Sequence, residues 1–596
     1  MKDLPKGWRP VLLPVIAVTV LALYPQISIF LAQGSNWHGS YFQSHYDEAA
    51  YSAYINALAN GRPRRFDPFV GRVEDSESLY SIQFVPAYLI AGPERLFGVS
   101  TSTSFIILIA AIGIFSVLAL FFFIRELTSS DLLAAAGSIV ILFLGTAVAF
   151  QGELRYLIEG RMLIEYLPFL RRYQPGLAFP LFFVFCWLVW RSLNSETIGT
   201  IAAYSAAAGA VFVLLVFSYF YIWTAAAAWL GCLSLFWAIW KRDRMRQLVI
   251  ADAIVGIFAL SALIPYFMLL GRRSTNVDSV QLLTLTHSPA FTSPSMAIGV
   301  IVAIALILTA RKGVDGLREP KTIMALSFAL TPVILFNQQI ITGRSLQPAH
   351  YEIFIANYLV LLAAVLAVSI WKGSEFVEST SQIYRKAILY VALIAFGWGF
   401  VEAMGSAGRS AASAVVRDES MPALQYIQQQ STLNNPASTF VVHATNFVTA
   451  DLIPSVTTQR PLWNSHINSA GGVDAAEHKR LFYSYLYYNG FTANDLLDVL
   501  SKRSFEVTAA LFGSDRALPE LAQGAKRVTD EEIRNEVRGY ADFIRTFTRE
   551  QAADPELSWL IVPVKSDQDL SNIDRWYRRS DEQEFGMFKV YKLTLK

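Results

Sequence analysis

Two adjacent carboxylates follow the first apolar stretch of the chain, at the point where a membrane-spanning segment would leave the lipid. Asp47 and Glu48 lie in the segment HYDEAAYSAYINALANG, which begins with His45. A carboxylate at such a place can act as a general base that removes the proton of an acceptor hydroxyl. It can instead bind Mg²⁺ or Mn²⁺, because these hard cations prefer oxygen ligands. His45 and Asp47 are spaced as a possible metal pair, although no third ligand is adjacent to them in the sequence.

The same acids also fit a purely structural role. Ser44 stands three residues before Asp47, as in a capping box, and acids in the first turn of a helix interact favourably with its dipole. We expect a short helix that ends near Asn60 and Gly61 and lies at the membrane interface. Its apolar face would consist of Tyr51, Tyr54, Ile55 and Leu58.

Three arginines in later loops are candidates for binding a phosphate group. Arg171 and Arg172 stand just before an apolar segment, and Arg344 lies between two more, within NQQIITGRSLQPAHYEIFIANY. The guanidinium fork pairs with phosphate in a bidentate manner, although Arg171 and Arg172 can equally reach anionic lipid headgroups. A polar run between two apolar segments is costly unless it lines a polar cavity. We predict a substrate cavity lined by His45, Tyr173, Asn337, Gln338, Gln347, His350 and Tyr351.

Two of these predictions have ordinary alternatives. His350 can be an interface histidine whose hydrogen bonds are satisfied locally. The stretch SYFYIWT, Ser218 to Thr224, lies at an expected outer turn, where its rings can stack on sugars or belong to the aromatic belt of a membrane protein.

The composition indicates a membrane protein. The chain has 596 residues, of which 54% are hydrophobic and 16% are charged, whereas soluble domains carry about 25% charged residues. The net charge of +2 says nothing about nucleic acid and no basic tract suggests it, so we expect no nucleic-acid partner. Cys186 and Cys232 both lie inside apolar runs, which excludes a disulfide framework and a cysteine metal site.

The apolar segments predict a polytopic helical domain over residues 1–409. About eleven segments approach the length needed to span a bilayer, with centres near residues 22, 112, 141, 184, 208, 230, 258, 302, 331, 361 and 395. Short basic loops alternate with longer ones and are cytoplasmic by the positive-inside rule: MKDLPKGWRP, RELTSSD, RSLNSET, KRDRMRQ, RKGVDGLREPK and WKGSEFVESTSQIYRK. The longer loops then face outward: 34–100, 152–175, 271–294 and 337–352. We therefore expect an inner (plasma) membrane protein with a cytoplasmic N-terminus.

The region from 410 to 596 has a different pattern and predicts a soluble α/β domain on the outer side. Four short apolar runs read as strands: STFVVHAT, FEVTAALFG, SWLIVPV and FGMFKVYKLTL. Four amphipathic runs read as helices: AAEHKRLFYSYLYYN, TANDLLDVLSKR, TDEEIRNEVRGYADFIRTFTREQ and DLSNIDRWYRR. An odd number of spans places this domain outside the membrane.

The acidic segment, in this position, resembles the first outer loop of the GT-C glycosyltransferases. That superfamily includes protein O-mannosyltransferases, the aminoarabinose transferase and oligosaccharyltransferases, and its members carry an Asp, often followed by Glu or Asp, in this loop. The resemblance implies an enzyme that uses a polyprenyl-phosphate-linked sugar and a glycan, lipid or protein acceptor. It implies that Asp47, with Glu48 as second choice, is the catalytic residue or a metal ligand. No single member family is matched.

Two other functions stay open at this point. A transporter or flippase of a lipid-linked or anionic substrate would usually show internal repeats and helices broken at mid-membrane, and no repeat is visible in the sequence. A non-catalytic assembly protein of the same ancestry is the second, although the presence of Asp47 speaks against it. The sugar, the carrier lipid, the acceptor and the metal dependence are left open.

Overall fold

A computed structural model describes residues 9–162, 166–310, 316–372, 382–434, 439–469, 473–519, 526–566 and 568–596. The chain divides into two compact units. The first unit holds the chain up to residue 28 together with 106–268 and 285–409, and the second holds 29–105, 269–284 and 410–596. Three basic loops used to orient the chain lie partly outside the described residues: MKDLPKGWRP, RKGVDGLREPK and WKGSEFVESTSQIYRK.

Long apolar helices form most of the first unit. In chain order, the α-helices up to the C-terminal region are Arg9–Gln33, Glu48–Ala59, Leu79–Ile82, Val85–Phe97, Thr101–Thr128, Asp131–Val148, Gly152–Glu159, Ala178–Leu193, Ile198–Val216, Phe220–Trp240, Met245–Leu270, Thr275–Val280, Pro294–Ala310, Pro320–Leu335, Gln339–Thr342, Pro348–Tyr351, Asn357–Lys372 and Gln382–Asn434. A π-helical turn, Glu352–Ala356, leads into Asn357–Lys372.

Nine helical stretches in the described part of the chain are long and apolar enough to cross a membrane. Each predicted span centre falls in one of these nine or in the apolar helices Ala178–Leu193 and Pro294–Ala310. Those two have 16 and 17 residues, somewhat fewer than the roughly 20 that a perpendicular crossing needs. The polytopic helical domain predicted from the sequence is confirmed.

The C-terminal region combines a mixed sheet with short helices, as predicted. Its α-helices are Phe447–Val456, Ala475–Tyr488, Ala493–Ser501, Phe505–Phe512, Ser514–Ala517, Asp530–Thr546, Arg549–Ala553 and Ser571–Trp576. The strands of the whole chain are β1 (Phe66–Asp67), β2 (Arg72–Val73), β3 (Thr284–Leu285), β4 (Arg344–Ser345), β5 (Val441–Ala444), β6 (Arg460–Pro461), β7 (Leu557–Pro563), β8 (Tyr577–Phe585) and β9 (Phe588–Leu595). The C-terminal sheet has the order β6-β5-β7-β9-β8.

Strand β7 lies at the centre of this sheet. It pairs in parallel with β5 and antiparallel with β9. Its sequence is an almost unbroken apolar run because Leu557 and Leu560 pack into one hydrophobic cluster while Trp559 and Ile561 pack into another. A strand covered on both faces loses the alternation of polar and apolar residues that a half-exposed strand shows.

Four of the predicted C-terminal elements differ from the structure in type or extent. FEVTAALFG forms the helix Phe505–Phe512 and not a strand, because its Ala-Ala-Leu core favours helix and short apolar runs carry no decisive period. DLSNIDRWYRR is helical only over Ser571–Trp576, after which β8 begins. TDEEIRNEVRGYADFIRTFTREQ forms two helices, Asp530–Thr546 and Arg549–Ala553, because Thr548 starts a second capping box. In STFVVHAT only Val441–Ala444 is a strand, and Ser438 lies outside the described residues.

The helix in the first outer loop ends where predicted and is almost entirely buried. It runs from Glu48 to Ala59, Asn60 follows as its C-cap, and all but two of its residues are buried. Ser52 and Asn56 hydrogen-bond to the helix Phe447–Val456 and the residue after it, within the second unit. The helix therefore packs on both faces against protein. Its predicted apolar face, Tyr51, Tyr54, Ile55 and Leu58, is covered by protein, and the expected position at the membrane interface stays a prediction.

Candidate functional site

The acidic pair separates into one accessible and one buried carboxylate. Asp47 immediately precedes the helix Glu48–Ala59, and its side chain is 39% exposed. Its backbone N–H donates to His45 Nδ1 over 3.2 Å, and its carboxylate Oδ2 lies 3.8 Å from the same nitrogen. Because Nδ1 accepts a hydrogen bond, the neutral His45 ring carries its proton on Nε2. Asp47 is therefore the carboxylate of the pair that a substrate can reach.

Glu48 organises the turn that presents Asp47. Its side chain is fully buried and accepts the backbone N–H of Ser44 over 2.9 Å. The Tyr41 hydroxyl donates to the Glu48 carbonyl over 3.2 Å. Asp47 stands at the N-cap position but makes no side-chain capping hydrogen bond. The capping box considered for Ser44 and Asp47 is therefore not formed. Instead, the Ser44 backbone N–H donates to Glu48, which is one residue beyond the position that a capping box requires.

Two adjacent buried residues of the second unit, Arg417 and Asp418, interact with this turn and with the segment before it. Asp418 is fully buried and accepts the backbone N–H groups of His38 and Ser40 over 2.9 Å and 3.1 Å. Arg417 is also buried and lies within electrostatic range of both Glu48 and Asp451. Its positive charge offsets the desolvation of these buried acids, as a buried carboxylate requires.

A second acidic group adjoins the first loop. Asp451 is buried on the helix Phe447–Val456, with its Oδ2 atom 3.8 Å from His466 Nε2. The His466 ring packs on the ring of Tyr46, with 4.3 Å between centroids. Burial raises the pKa of Asp451, while the charges of His466 and Arg417 act in the opposite direction. The residue next to Asp47 thus contacts a buried carboxylate–imidazole pair.

Several buried polar atoms around this pair lack a hydrogen-bond partner among the described residues. They are Asp451 Oδ1, His466 Nε2, the Arg417 Nε atom and both ends of the Asn464 amide. Buried polar atoms in folded proteins are nearly always hydrogen-bonded, so this group has the chemistry to hold a polar ligand or ordered water. Sequence reasoning did not identify it. The available signal was the single charged residue, Asp451, in the otherwise uncharged helix FVTADLIPSV.

The arginines of the second loop lie in the first unit, away from solvent. Arg171, Arg172 and Tyr173 are all buried. The Arg171 Nη2 atom donates to the Tyr219 hydroxyl over 3.0 Å, and its guanidinium carbon stands 4.4 Å from the centroid of the Phe354 ring. These contacts fix the plane of the guanidinium group by hydrogen bonding and cation–π attraction.

Part of the fifth loop meets the SYFYIWT stretch beside Arg171. The Tyr221 ring lies 4.7 Å from the His350 ring and 5.0 Å from the Tyr351 ring, measured between centroids. Thr224 and Tyr351 share a hydrogen bond of 2.9 Å between their hydroxyl oxygens. The structure therefore brings predicted residues of two separate loops together around one aromatic group.

Other predicted residues of the fifth loop stabilise the loop itself. Asn337 exchanges hydrogen bonds with the backbone of Ala290, and Gln338 donates to the Arg344 carbonyl over 2.8 Å. The Arg344 side chain is exposed, whereas Gln347 is half-buried directly before the helix Pro348–Tyr351. These contacts give Asn337 and Gln338 a structural role within the loop.

Among the residues that the structure describes, no three side chains of His, Cys, Asp or Glu are grouped closely enough to hold a metal ion. His45 and Asp47 offer two possible ligands, and Mg²⁺ is commonly held by one or two carboxylates together with substrate phosphates. Asp47 therefore has the chemistry of a base or of one ligand in a metal site that the substrate completes.

No protein-family model and no curated protein matches the chain. Among solved structures it is similar to the Archaeoglobus fulgidus oligosaccharyltransferase tethered with an acceptor peptide containing the NVT sequon, with 13% identity and a TM-score of 0.49 over 99% of this chain and 74% of that one. The apo form of that enzyme gives 12% identity and a TM-score of 0.47 over 99% and 75%. AglB from the same organism, in complex with an inhibitory peptide and a dolichol-phosphate, gives 13% and 0.46 over 98% and 74%. These values are too low to transfer an activity, so the functional inference depends on the residues of the chain itself.

Proposed function

We propose that the chain is an integral-membrane glycosyltransferase of the cell envelope. It would transfer a sugar from a polyprenyl-phosphate donor to a glycan, lipid or protein acceptor on the outer face of the inner membrane. The observation that carries this proposal is the accessible Asp47 carboxylate, held beside His45 and backed by the buried Glu48. A rigid turn with one reachable carboxylate is what a general base requires.

Asp47 would take the proton of the acceptor as the acceptor oxygen bonds to the anomeric carbon of the sugar. The bond from that carbon to the phosphate oxygen breaks, and the polyprenyl phosphate leaves with the electron pair. The buried pair Asp451 and His466, which contacts Tyr46, would keep the turn in place during this step. His45 would hold the backbone of the turn through its Nδ1 atom, which accepts the Asp47 N–H.

The donor phosphate would be held by Arg171 and Arg172, with Arg344 as the third candidate. Arg171 is supported by its position among Tyr219, Phe354 and the neighbouring aromatic side chains. A charged hydrogen bond in such a shielded place contributes about 1.5–3 kcal/mol. Arg344 is exposed and would act as a mobile contact.

The test compares Asp47→Asn with Asp75→Asn, an exposed acid of the same loop. Purified proteins would be reconstituted with synthetic polyprenyl-phosphate hexoses and a panel of acceptors, and the release of polyprenyl phosphate would be measured. We expect Asp47→Asn to reduce release by roughly 100-fold or more, the range of general-base catalysis, with Asp75→Asn near the wild-type rate. Wild-type release by a folded Asp47→Asn protein would disprove the assignment. Translocation of the intact lipid-linked sugar without release would indicate a flippase instead.

A further inference from the structure

Acidic side chains outnumber basic ones around the turn that presents Asp47. Each of four carboxylates lies within electrostatic range of Tyr46 or of Arg417: Asp47, Glu48, Asp451 and Glu506. Arg417 is buried and supplies one positive charge, and His466 adds a second only when it is protonated. Because a buried negative charge needs a compensating positive one, this part of the second unit favours a cationic ligand.

Three buried atoms in this part of the second unit can accept a hydrogen bond and have no partner among the described residues: Asp451 Oδ1, Asn464 Oδ1 and His466 Nε2. Their side chains are 5%, 0% and 2% exposed. Asn464 stands two residues before His466, whose Nε2 atom is 3.8 Å from Asp451 Oδ2. A primary ammonium group carries three N–H donors and no acceptor, so it matches these three acceptors in number and in charge.

Two buried donors belong to the same group of atoms. Arg417 Nε and Asn464 Nδ2 have no hydrogen-bond acceptor among the described residues. They suit an oxygen atom adjacent to the ammonium, such as the hydroxyl of an amino alcohol. Ordered water can occupy a polar cavity of this kind, but water leaves the excess negative charge uncompensated, whereas an amino alcohol satisfies both the charge and the donors.

Tyr46 separates this buried group from the accessible carboxylate. Its side chain is 39% exposed, and its ring lies 4.3 Å from the His466 ring between centroids. The next residue is Asp47, whose side chain is also 39% exposed. A ligand that turns the Tyr46 ring aside therefore reaches His466 from the side on which Asp47 meets solvent, and the face of the ring attracts a cation.

We propose that Asp451, Asn464 and His466 form a binding site for a primary ammonium group with a neighbouring hydroxyl, and that the acceptor of the proposed transfer carries this amino-alcohol unit. An ethanolamine headgroup and an amino sugar both contain it. The bound unit lies behind Tyr46 and holds the rest of the acceptor next to Asp47. The assignment of the ligand as the acceptor rests on the proposed function, whereas the binding site does not.

Ligand-dependent thermal unfolding of the purified full-length chain, without any sugar donor, tests the binding site. The shift in unfolding temperature with ligand concentration gives an apparent dissociation constant, because a ligand that binds the folded chain stabilises it. Ethanolamine represents a lipid headgroup and glucosamine a glycan. Ethylene glycol keeps the hydroxyl without the charge, and choline keeps the charge and the hydroxyl without N–H donors. All four are compared at one pH and one ionic strength.

We expect ethanolamine or glucosamine to bind at least several-fold more tightly than ethylene glycol and choline. The tighter of the two amines identifies a lipid or a glycan as the source of the amino-alcohol unit. Equal stabilisation by all four compounds would overturn the proposal, because neither the charge nor the N–H donors would then be recognised.

Three variants locate the binding site within the second unit. Asp451→Asn removes a charged acceptor and should weaken amine binding by about ten-fold. Glu506→Gln, at a partly buried position, removes only a nearby charge and should weaken it several-fold, which keeps the test decisive if Asp451→Asn fails to fold. Asp498→Asn, at an exposed position of the C-terminal region, is the matched control and should bind amines as the wild type does.

Wild-type amine binding by folded Asp451→Asn and Glu506→Gln proteins would overturn the proposed site. The failure of this inference can be distinguished from the failure of the proposed function. Selective amine binding without sugar transfer to any acceptor would contradict the transferase and support the site, whereas sugar transfer without selective amine binding would contradict only the site.

Discussion

Asp418 holds the strand-like segment that leads from the first span to the acidic turn. Its two oxygens accept the backbone N–H groups of His38 and Ser40. Asp418→Ala removes the acceptor of both N–H groups, and losing the acceptor of the buried Ser40 N–H costs about 1–3 kcal/mol. We expect faster hydrogen–deuterium exchange in peptides that contain residues 38–40 and a lower unfolding temperature.

Glu419→Ala is the matched control for this change. Glu419 is the next residue of the same helix and is only partly buried, so its loss should leave exchange at residues 38–40 unchanged. Equal exchange in the two variants would mean that Asp418 does not hold this segment in solution.

Glu94 should make the stability of the chain depend on pH. Burial raises the pKa of Glu94 from 4.5 to about 7. Between these values the folded chain keeps a proton that the unfolded chain releases, so this contribution is present at low pH and is lost as pH rises through about 7. The full difference is about 3 kcal/mol.

The uncharged variant Glu94→Gln can still accept the hydroxyl of Thr101 but does not titrate. We expect the unfolding temperature of the wild type to fall between pH 5.5 and 8.5 when it is compared with that of Glu94→Gln. The control variant Glu531→Gln changes an exposed residue, and its unfolding temperature should follow that of the wild type. If the wild type and Glu94→Gln change in parallel over this pH range, Glu94 titrates normally.

The acidic pair shows what the sequence can and cannot predict about single residues. Position along the chain was enough to select Asp47 and Glu48 as candidates. It could not separate their roles, because the exposure of Asp47 and the burial of Glu48 depend on side chains contributed from residues about 370 to 400 positions later in the sequence. The pairing of Asp451 with His466 was missed for the same reason, although the single charge in its helix marked Asp451.

Close packing between the helix Glu48–Ala59 and the helix Phe447–Val456 should tolerate no added volume. Ser52 and Ser455 approach within 2.7 Å between their hydroxyl oxygens, and the neighbouring Ala53 is fully buried in a hydrophobic cluster with Phe69 and Val70. Ala53→Leu should reduce the free energy of unfolding by about 1–3 kcal/mol, the usual cost of overpacking. Ala59→Leu, at the partly exposed end of the same helix, should change it much less. Equal unfolding temperatures for the two variants would show that the helices are not packed this closely.

Helices and strands with a long hydrophobic pattern in the sequence were predicted more accurately than those with a short one. The long apolar segments and the strand SWLIVPV were predicted because each carries an extended signal. Phe505–Phe512 was mistaken for a strand since eight residues hold about two helical turns, too few to reveal a period. For the helix Glu48–Ala59, the aromatic residues were visible in the sequence, whereas the distant partners that bury its other residues were not.

The topology of the chain is the prediction on which the proposed transfer depends. By the positive-inside rule, the short basic loops would be cytoplasmic, and KRDRMRQ is the clearest described example. An odd number of spans would then put both the first outer loop and the region after residue 410 on the opposite side. Asn60→Cys and Lys502→Cys, at exposed positions of these two regions, should react with a membrane-impermeant thiol reagent on intact cells. Asp243→Cys, in the loop KRDRMRQ and also exposed, should react only after the cells are opened.

Because Cys186 and Cys232 are buried, labelling of the unmodified chain should be negligible. If only one of the two outer positions reacts on intact cells, the number of spans between them is odd, and a base in the first outer loop cannot serve an acceptor presented by the C-terminal region.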